Sequence, residues 1–112
     1  MLGDGGFMFG PQALWTAAKY GIPVFTLVLS NRSYLVDRSQ KMIQRKAFIG
    51  TELGNPDIDF AKMGQSMGVK GFRITDANEI TDVFNQAWKL NEPVVVDAVV
   101  SEEMPGDFLQ GL

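Results

Sequence analysis

The sequence predicts an α/β fold in three layers, a mostly parallel sheet flanked by helices. Three observations carry this. Short, nearly unbroken apolar runs alternate with segments whose apolar residues recur at helical spacing. Glycine or proline stands at most of the changes from one to the other. The clearest run, Val94-Val95-Val96-Asp97-Ala98-Val99-Val100, is apolar on both faces, as suits a parallel strand covered on both sides.

In chain order, Gly3-Asp4-Gly5-Gly6 reads as the loop after a strand, yet almost no sequence precedes it to form that strand. The chain is therefore expected to begin inside a βα unit, truncated on its N-terminal side, as part of a larger protein. Gly10-Pro11 starts a helix with Ala13, Leu14, Ala17 and Ala18 as its small apolar face. Gly21 ends it and Pro23 follows. Val24-Phe25-Thr26-Leu27-Val28-Leu29 is a buried strand. Lys41-Met42-Ile43-Gln44-Arg45-Lys46 reads as helix and Gly50-Thr51-Glu52-Leu53-Gly54 as loop. Asn55-Pro56 opens a helix that ends near Gly68, and residues 69–75 make a third strand. Residues 76–90 put Ile80, Val83, Phe84, Ala87 and Trp88 on one helical stripe, with Asp76 as cap and Glu79 at the capping-box position. Pro93 blocks further helix before the last strand, and residues 102–107 read as an exit segment or frayed end.

A chain of 112 residues suffices for one domain, residues 1–112, and not for two. With 46% hydrophobic and 21% charged residues it has the composition of an ordinary globular domain. Ten basic residues against 13 acidic ones, a net charge of −3, argue against nucleic acid as a partner. No apolar run approaches the roughly 20 residues that span a bilayer, and the N-terminus lacks the pattern of a signal peptide, so a cytoplasmic chain without membrane attachment is expected. The sequence has no cysteine and no histidine. That excludes thiolate metal sites, histidine-ligated metals and the Ser-His-Asp triad. Chemistry here rests on carboxylates, amides, backbone groups, a hard metal or a borrowed cofactor.

In a parallel sheet, Gly3-Asp4-Gly5-Gly6 and Ser30-Asn31-Arg32-Ser33-Tyr34 fall at the carboxyl ends of neighbouring strands, where open α/β folds bind ligands. Asn31 stands 27 positions after Asp4, room for a turn, a helix and a strand. Glycines let backbone N–H groups approach an anion. Asp4 offers an anionic oxygen and Asn31 a neutral one, the hard donors that magnesium takes. On residue types alone, two ordinary turns account for the same residues.

Together with these motifs, residues 11–20 (PQALWTAAKY) and Ile22-Pro23-Val24 resemble the thiamine-diphosphate-dependent enzymes. The resemblance is to the C-terminal, diphosphate-binding domain of the acetolactate synthase, benzoylformate decarboxylase and pyruvate decarboxylase superfamily. Residues 54–61 (GNPDIDFA), Met67-Gly68-Val69 and Pro93-Val94-Val95-Val96 extend it over essentially the whole chain. It implies thiamine diphosphate with Mg2+ as cofactors. Asp4, the Asn31 side-chain oxygen and the Ser33 main-chain carbonyl would hold the metal. Gly5 and Gly6 would approach the diphosphate, with Tyr34 and Leu35 beside the cofactor. Family members often have two successive asparagines; here the first is Ser30, a departure that bears on local hydrogen bonding and leaves the ligand position, Asn31, in place.

The resemblance further implies a lyase or carboligase acting on a 2-oxo acid, in a homo-oligomer. A pyrimidine-binding domain, of the parent chain or of a partner subunit, would supply the glutamate that starts the proton relay. The 112 residues are therefore expected to bind cofactor without catalysing alone, and no residue here is assigned a catalytic role. Two other readings stand beside this one: a catalytically silent fragment or binding module, and a flavodoxin-like domain that takes flavin or accepts phosphate at Asp4.

Other features have plain readings. Asp57-Ile58-Asp59 opens like a calcium loop, but Ala61 and Lys62 stand where a ligand and a glycine are needed, so these acids favour a helix N-terminus instead. Arg38, Lys41, Arg45 and Lys46 read as a solvated helix face, and Trp15 and Trp88 as packed against the sheet. Phe7, Met8 and Phe9 line either the cofactor pocket or a subunit contact.

Overall fold

The apolar runs become four strands, β1 (Leu2–Gly3), β2 (Phe25–Ser30), β3 (Lys70–Ile74) and β4 (Val94–Val99). In the computed structural model, which describes residues 1–43, 47 and 49–103, they form one sheet in the order β1-β2-β4-β3 with every pair parallel. The expected α/β architecture is thus the observed one. Leu2 pairs with Val28, Val28 with Asp97 and Asp97 with Arg73, so one row of residues crosses all four strands.

Helices cover both faces. The segments are α1 (Asp4–Phe7), α2 (Ala13–Tyr20), α3 (Leu35–Ile43), α4 (Phe60–Ser66) and α5 (Ile80–Lys89). Phe7, Leu14 and Phe60 from α1, α2 and α4 pack with Val28 and Val95. Ala87, Val83 and Phe84 of α5 pack with Val94 and Val96 on the other side. The alternation of Val94, Val95 and Val96 between two cores is the physical reason why β4 is apolar throughout. Helix α4 lies so close to β4 that a side chain at Gly64 would collide with Val95.

Several boundaries differ from the sequence reading. Gly3-Asp4-Gly5-Gly6 is not all loop: Leu2 and Gly3 pair with β2, and Asp4 opens the helical turn α1. Helix α4 begins at Phe60 rather than at Pro56, because the Asp59 carboxylate caps it, accepting the Lys62 N–H at 2.9 Å. Of the Asp57-Ile58-Asp59 acids, Asp59 is the one that plays the helix N-terminal part. Asp76 caps a 3-10 turn, Ala77–Glu79, that runs into α5; Glu79 closes it by donating its N–H to the Asp76 carbonyl at 3.1 Å. The helix placed at residues 41–46 starts earlier, at Leu35, and Gln44, Arg45 and Lys46 lie outside the described residues. Arg38 is half-buried rather than fully solvated.

Both tryptophans depart from expectation. Trp15 is 53% exposed and Trp88 75%. Leu14 and Ala17 already fill the sheet side of α2, which turns Trp15 outward under the Lys19 ammonium, 4.9 Å from its ring. Trp88 follows Ala87, the residue that meets the sheet, and its ring leans on Phe25 at the strand entrance, 5.7 Å between centroids. Phe7 is core, 4% exposed and edge-on to Phe60 at 5.3 Å.

Among the described residues, no helix is long and apolar enough to cross a membrane.

Candidate functional site

Asp4 and the Asn31–Ser33 turn meet because β1 and β2 are parallel neighbours whose carboxyl ends lie side by side. Gly3 pairs with Leu29, so the first residue past β1 stands beside the last residues of β2. Asp4 is 1% exposed. Its Oδ1 accepts the Gly5 N–H at 2.8 Å, while its Oδ2 is buried without a hydrogen-bond partner. Burial pushes the Asp4 carboxyl above its ordinary value of 3.8; the N–H dipoles of Gly5, Arg32, Asn31 and Ser33 pull it back. Among the described residues, no side-chain cation contributes to that balance.

The turn across from Asp4 is tightly built. The Asn31 Oδ1 accepts the Ser33 N–H at 3.1 Å and the Ser33 hydroxyl at 3.4 Å. Arg32 between them has a left-handed backbone, φ 58°. Residues 32–34 pair with 51–53: the Leu53 N–H donates to the Arg32 carbonyl at 2.7 Å and the Tyr34 N–H to the Thr51 carbonyl at 2.8 Å. The segment read as plain loop therefore forms an antiparallel bridge, Ser33 with Glu52. In that pattern Ser33 is the residue whose own N–H and carbonyl point away from its partner strand. Its N–H goes to Asn31, and its carbonyl lies on that same side.

Gly5 and Gly6 play different parts. A Cβ on Gly5 would meet the Tyr34 ring at 2.5 and 2.9 Å, so only glycine lets Tyr34 lie over α1. A Cβ on Gly6 would enter open space. A cavity of about 730 Å³ lies at the carboxyl ends of the strands. Asp4, Gly5, Gly6, Asn31, Ser33 and Tyr34 all line it, so the structure brings together every site residue expected from sequence. Leu35 lines it too. Phe9, 83% exposed, stands at its wall edge-on to Tyr34, with centroids 6.3 Å apart. Met8 is half-buried against the core.

Sequence reasoning missed a third loop. Val100, Ser101 and Glu103, just past β4, also line the cavity. The signal is in the sequence, since β4 ends on the same edge as β1 and β2, although residues 102–107 on their own read as an exit segment or frayed end. Of those, 104–107 lie outside the described residues.

The donor set fits a hard divalent cation. Asp4 Oδ2 is a buried acceptor without a donor, and one of the two lone pairs of Asn31 Oδ1 is held only by the long 3.4 Å bond from the Ser33 hydroxyl, which a cation would displace. Among the described residues no cluster of three or more acidic, histidine or cysteine side chains is gathered for a metal. A cation here takes one carboxylate together with neutral oxygens, the partial shell that leaves positions for phosphate oxygens and water. The lining reinforces this. Asp4, Asp37 and Glu103 are its charged side chains, and none of the described lining residues is lysine or arginine. An anionic ligand enters such a cavity only with a cation to neutralise it.

Comparison with known proteins agrees with this geometry. A family model described as thiamine pyrophosphate enzyme, C-terminal TPP binding domain, matches residues 1–98. The pyruvate oxidase of Lactiplantibacillus plantarum is 34% identical over 108 residues, 94% of this chain and 18% of its own. An acetolactate synthase of Mycobacterium bovis is 32% identical over 106 residues, 90% of this chain and 17% of its own. The solved thiamine diphosphate-dependent 4-hydroxybenzoylformate decarboxylase of Rhodococcus jostii RHA1 superposes with a TM-score of 0.83 at 30% identity, covering 91% of this chain and 19% of that one. The chain spans about a fifth of the length of the curated relatives it matches.

Proposed function

Because this chain belongs to the family of thiamine pyrophosphate enzyme C-terminal TPP binding domains, we propose that its strand-end cavity binds the diphosphate end of thiamine diphosphate through Mg2+. Asp4 Oδ2, the Asn31 side-chain oxygen and the Ser33 carbonyl hold the metal. Gly5 and Gly6 let the backbone approach the diphosphate, and Tyr34 and Leu35 wall the cofactor. The observation that carries this reading is the partnerless, buried Asp4 Oδ2 facing the Asn31–Ser33 turn in a cavity whose charged lining is acidic.

The parent enzyme is a lyase or carboligase acting on a 2-oxo acid, of benzoylformate decarboxylase or acetolactate synthase type, working in the cytoplasm as a homo-oligomer. When bound, thiamine diphosphate supplies a nucleophilic carbon and an electron sink for such chemistry. This chain's residues anchor and orient: they fix the diphosphate, exclude bulk water from Asp4 and hold the Asn31 turn in place. The sequence has no histidine or cysteine and Asp4 is committed to the cation, so the reacting proton is assigned to a group outside this chain. A pyrimidine-binding domain, of the same protein or a partner subunit, provides that group.

Calorimetric titration of the chain with thiamine diphosphate tests the site. Binding is expected in the presence of Mg2+ and lost on chelation, and Asn31→Ala is expected to weaken it about tenfold. Magnesium-independent binding, or unchanged affinity in Asn31→Ala, would remove the assignment.

A further inference from the structure

Between the two metal-ligand positions of the proposed site stands a residue that neither lines the cavity nor points toward it. Arg32 occupies the left-handed region, φ 58°, which a non-glycine residue holds only when its surroundings impose it. Those surroundings are on the outer side of the turn. The guanidinium lies 3.2 Å from Glu102, past the end of β4, and 3.7 Å from Asp57, in the segment leading into α4. The Arg32 stem lies against Gly54, where an added Cβ would come within 3.6 Å of its Cδ. Its carbonyl accepts the Leu53 N–H at 2.7 Å. Backbone and side chain together tie three chain segments to one strained position.

We propose that Arg32 is a positioning residue for the cation site: its ion pairs with Glu102 and Asp57 hold the left-handed turn that aims Asn31 and Ser33 at Asp4. The left-handed step closes the turn in which the Asn31 Oδ1 accepts the Ser33 N–H at 3.1 Å and the Ser33 hydroxyl at 3.4 Å, beside Asp4 in the same cavity. If the side chain lets go, the turn loses the contacts that offset its unfavourable backbone, and the two ligand oxygens lose their common direction. This inference rests on the proposed function, and it runs against simple electrostatics. As one more positive charge near a cation, Arg32 would weaken metal binding; as a clamp it strengthens it.

That opposition makes the test decisive. Mn2+ binding to the chain with thiamine diphosphate, followed by electron paramagnetic resonance, is measured for the parent sequence, Arg32→Gly, Glu102→Gln and the double variant. Glycine accepts φ 58° without strain, so Arg32→Gly removes the clamp and leaves the turn accessible. The expected result is three- to tenfold weaker Mn2+ binding in Arg32→Gly, roughly the range for partly exposed ion pairs acting together. A smaller loss is expected in Glu102→Gln, and the double variant is expected to be no weaker than Arg32→Gly. Unchanged or tighter binding in Arg32→Gly overturns the proposal, as does a double variant whose loss is the full product of the two single losses. Should Arg32→Gly not fold, Glu102→Gln leaves the turn's own sequence intact, and unaltered Mn2+ affinity there is equally decisive. Failure of the parent chain to bind Mn2+ at all would instead overturn the proposed function.

Discussion

Two carboxylates are buried in this sheet, and they are treated in opposite ways. Asp97, 0% exposed, sits mid-strand in β4 and accepts from the Arg73 guanidinium at 3.1 Å and from the Phe60 N–H at 3.2 Å through one oxygen. Asp4 sits at a strand end with one backbone N–H and no side-chain cation. Each keeps one oxygen without a partner. Burial raises both carboxyls above the ordinary carboxylate value; backbone N–H groups answer each in part, but only Asp97 also meets a side-chain cation, Arg73. A buried charge whose partner is built in serves the fold. A buried charge whose partner is not built in, facing a cavity, is the one that calls for a ligand.

Exchanging the two roles would break this contrast. Asp4→Ala is expected to reduce Mg2+-dependent thiamine diphosphate affinity by about 100-fold or more, with little effect on melting of the cation-free chain, because it removes a ligand and also an uncompensated charge. Calorimetry beside a thermal melt checks both halves. Asp97→Ala is expected to do the reverse, destabilising the chain by about 2 kcal/mol, since Arg73 and the Phe60 N–H lose their acceptor; Arg73 is partly exposed and keeps Asp59 at 3.5 Å, which limits the damage. Denaturant unfolding reads that loss.

Smaller effects sharpen the same comparison. Gly5→Ala forces the Tyr34 ring off α1 and is expected to weaken cofactor binding several-fold, with roughly 1 kcal/mol lost in stability. The smallest effect is in pH. With its folded-state value above 3.8, Asp97 holds its proton to higher pH in the native chain than in the unfolded one. Its contribution to stability is therefore largest below 3.8 and is lost as pH rises through the raised value. Melting of the parent chain compared with Asp97→Asn is expected to drift against the parent as pH rises from about 4. A flat difference would show that Asp97 titrates normally.

Much of this was legible from sequence, for local reasons. The continuous apolar run at Val94-Val95-Val96 could only be a strand covered on both faces, and the spacing from Asp4 to Asn31 fits one crossover between adjacent parallel strands. What escaped depends on contacts between distant segments. Asp97 passed as one polar residue in an apolar run, because its guanidinium partner lies 24 positions earlier. Residues 50–54 read as loop, because their bonds to the Arg32 turn are fixed only once β2 and the 51–53 segment converge. Trp88 continues a helical stripe whose sheet-facing place is taken by Ala87, which leaves its ring exposed against Phe25. Arg32 is not a residue from which a left-handed backbone is expected, and only its paired acids explain it.

The row Leu2–Val28–Asp97–Arg73 has a consequence for how the chain finds its alignment. Slipping β4 against β3 by one residue would turn Asp97 from the α4 face to the α5 face, away from the Phe60 N–H and the Arg73 guanidinium. The same slip between β1 and β2 would carry Asp4 out of step with Asn31. A charge pair at the far edge of the sheet thus acts as a detent for β3 against β4, and β4 in turn indexes β2. Mis-threaded chains are penalised in the interior, so the strand-end loops are set to the correct notch before the proposed cation and cofactor would bind.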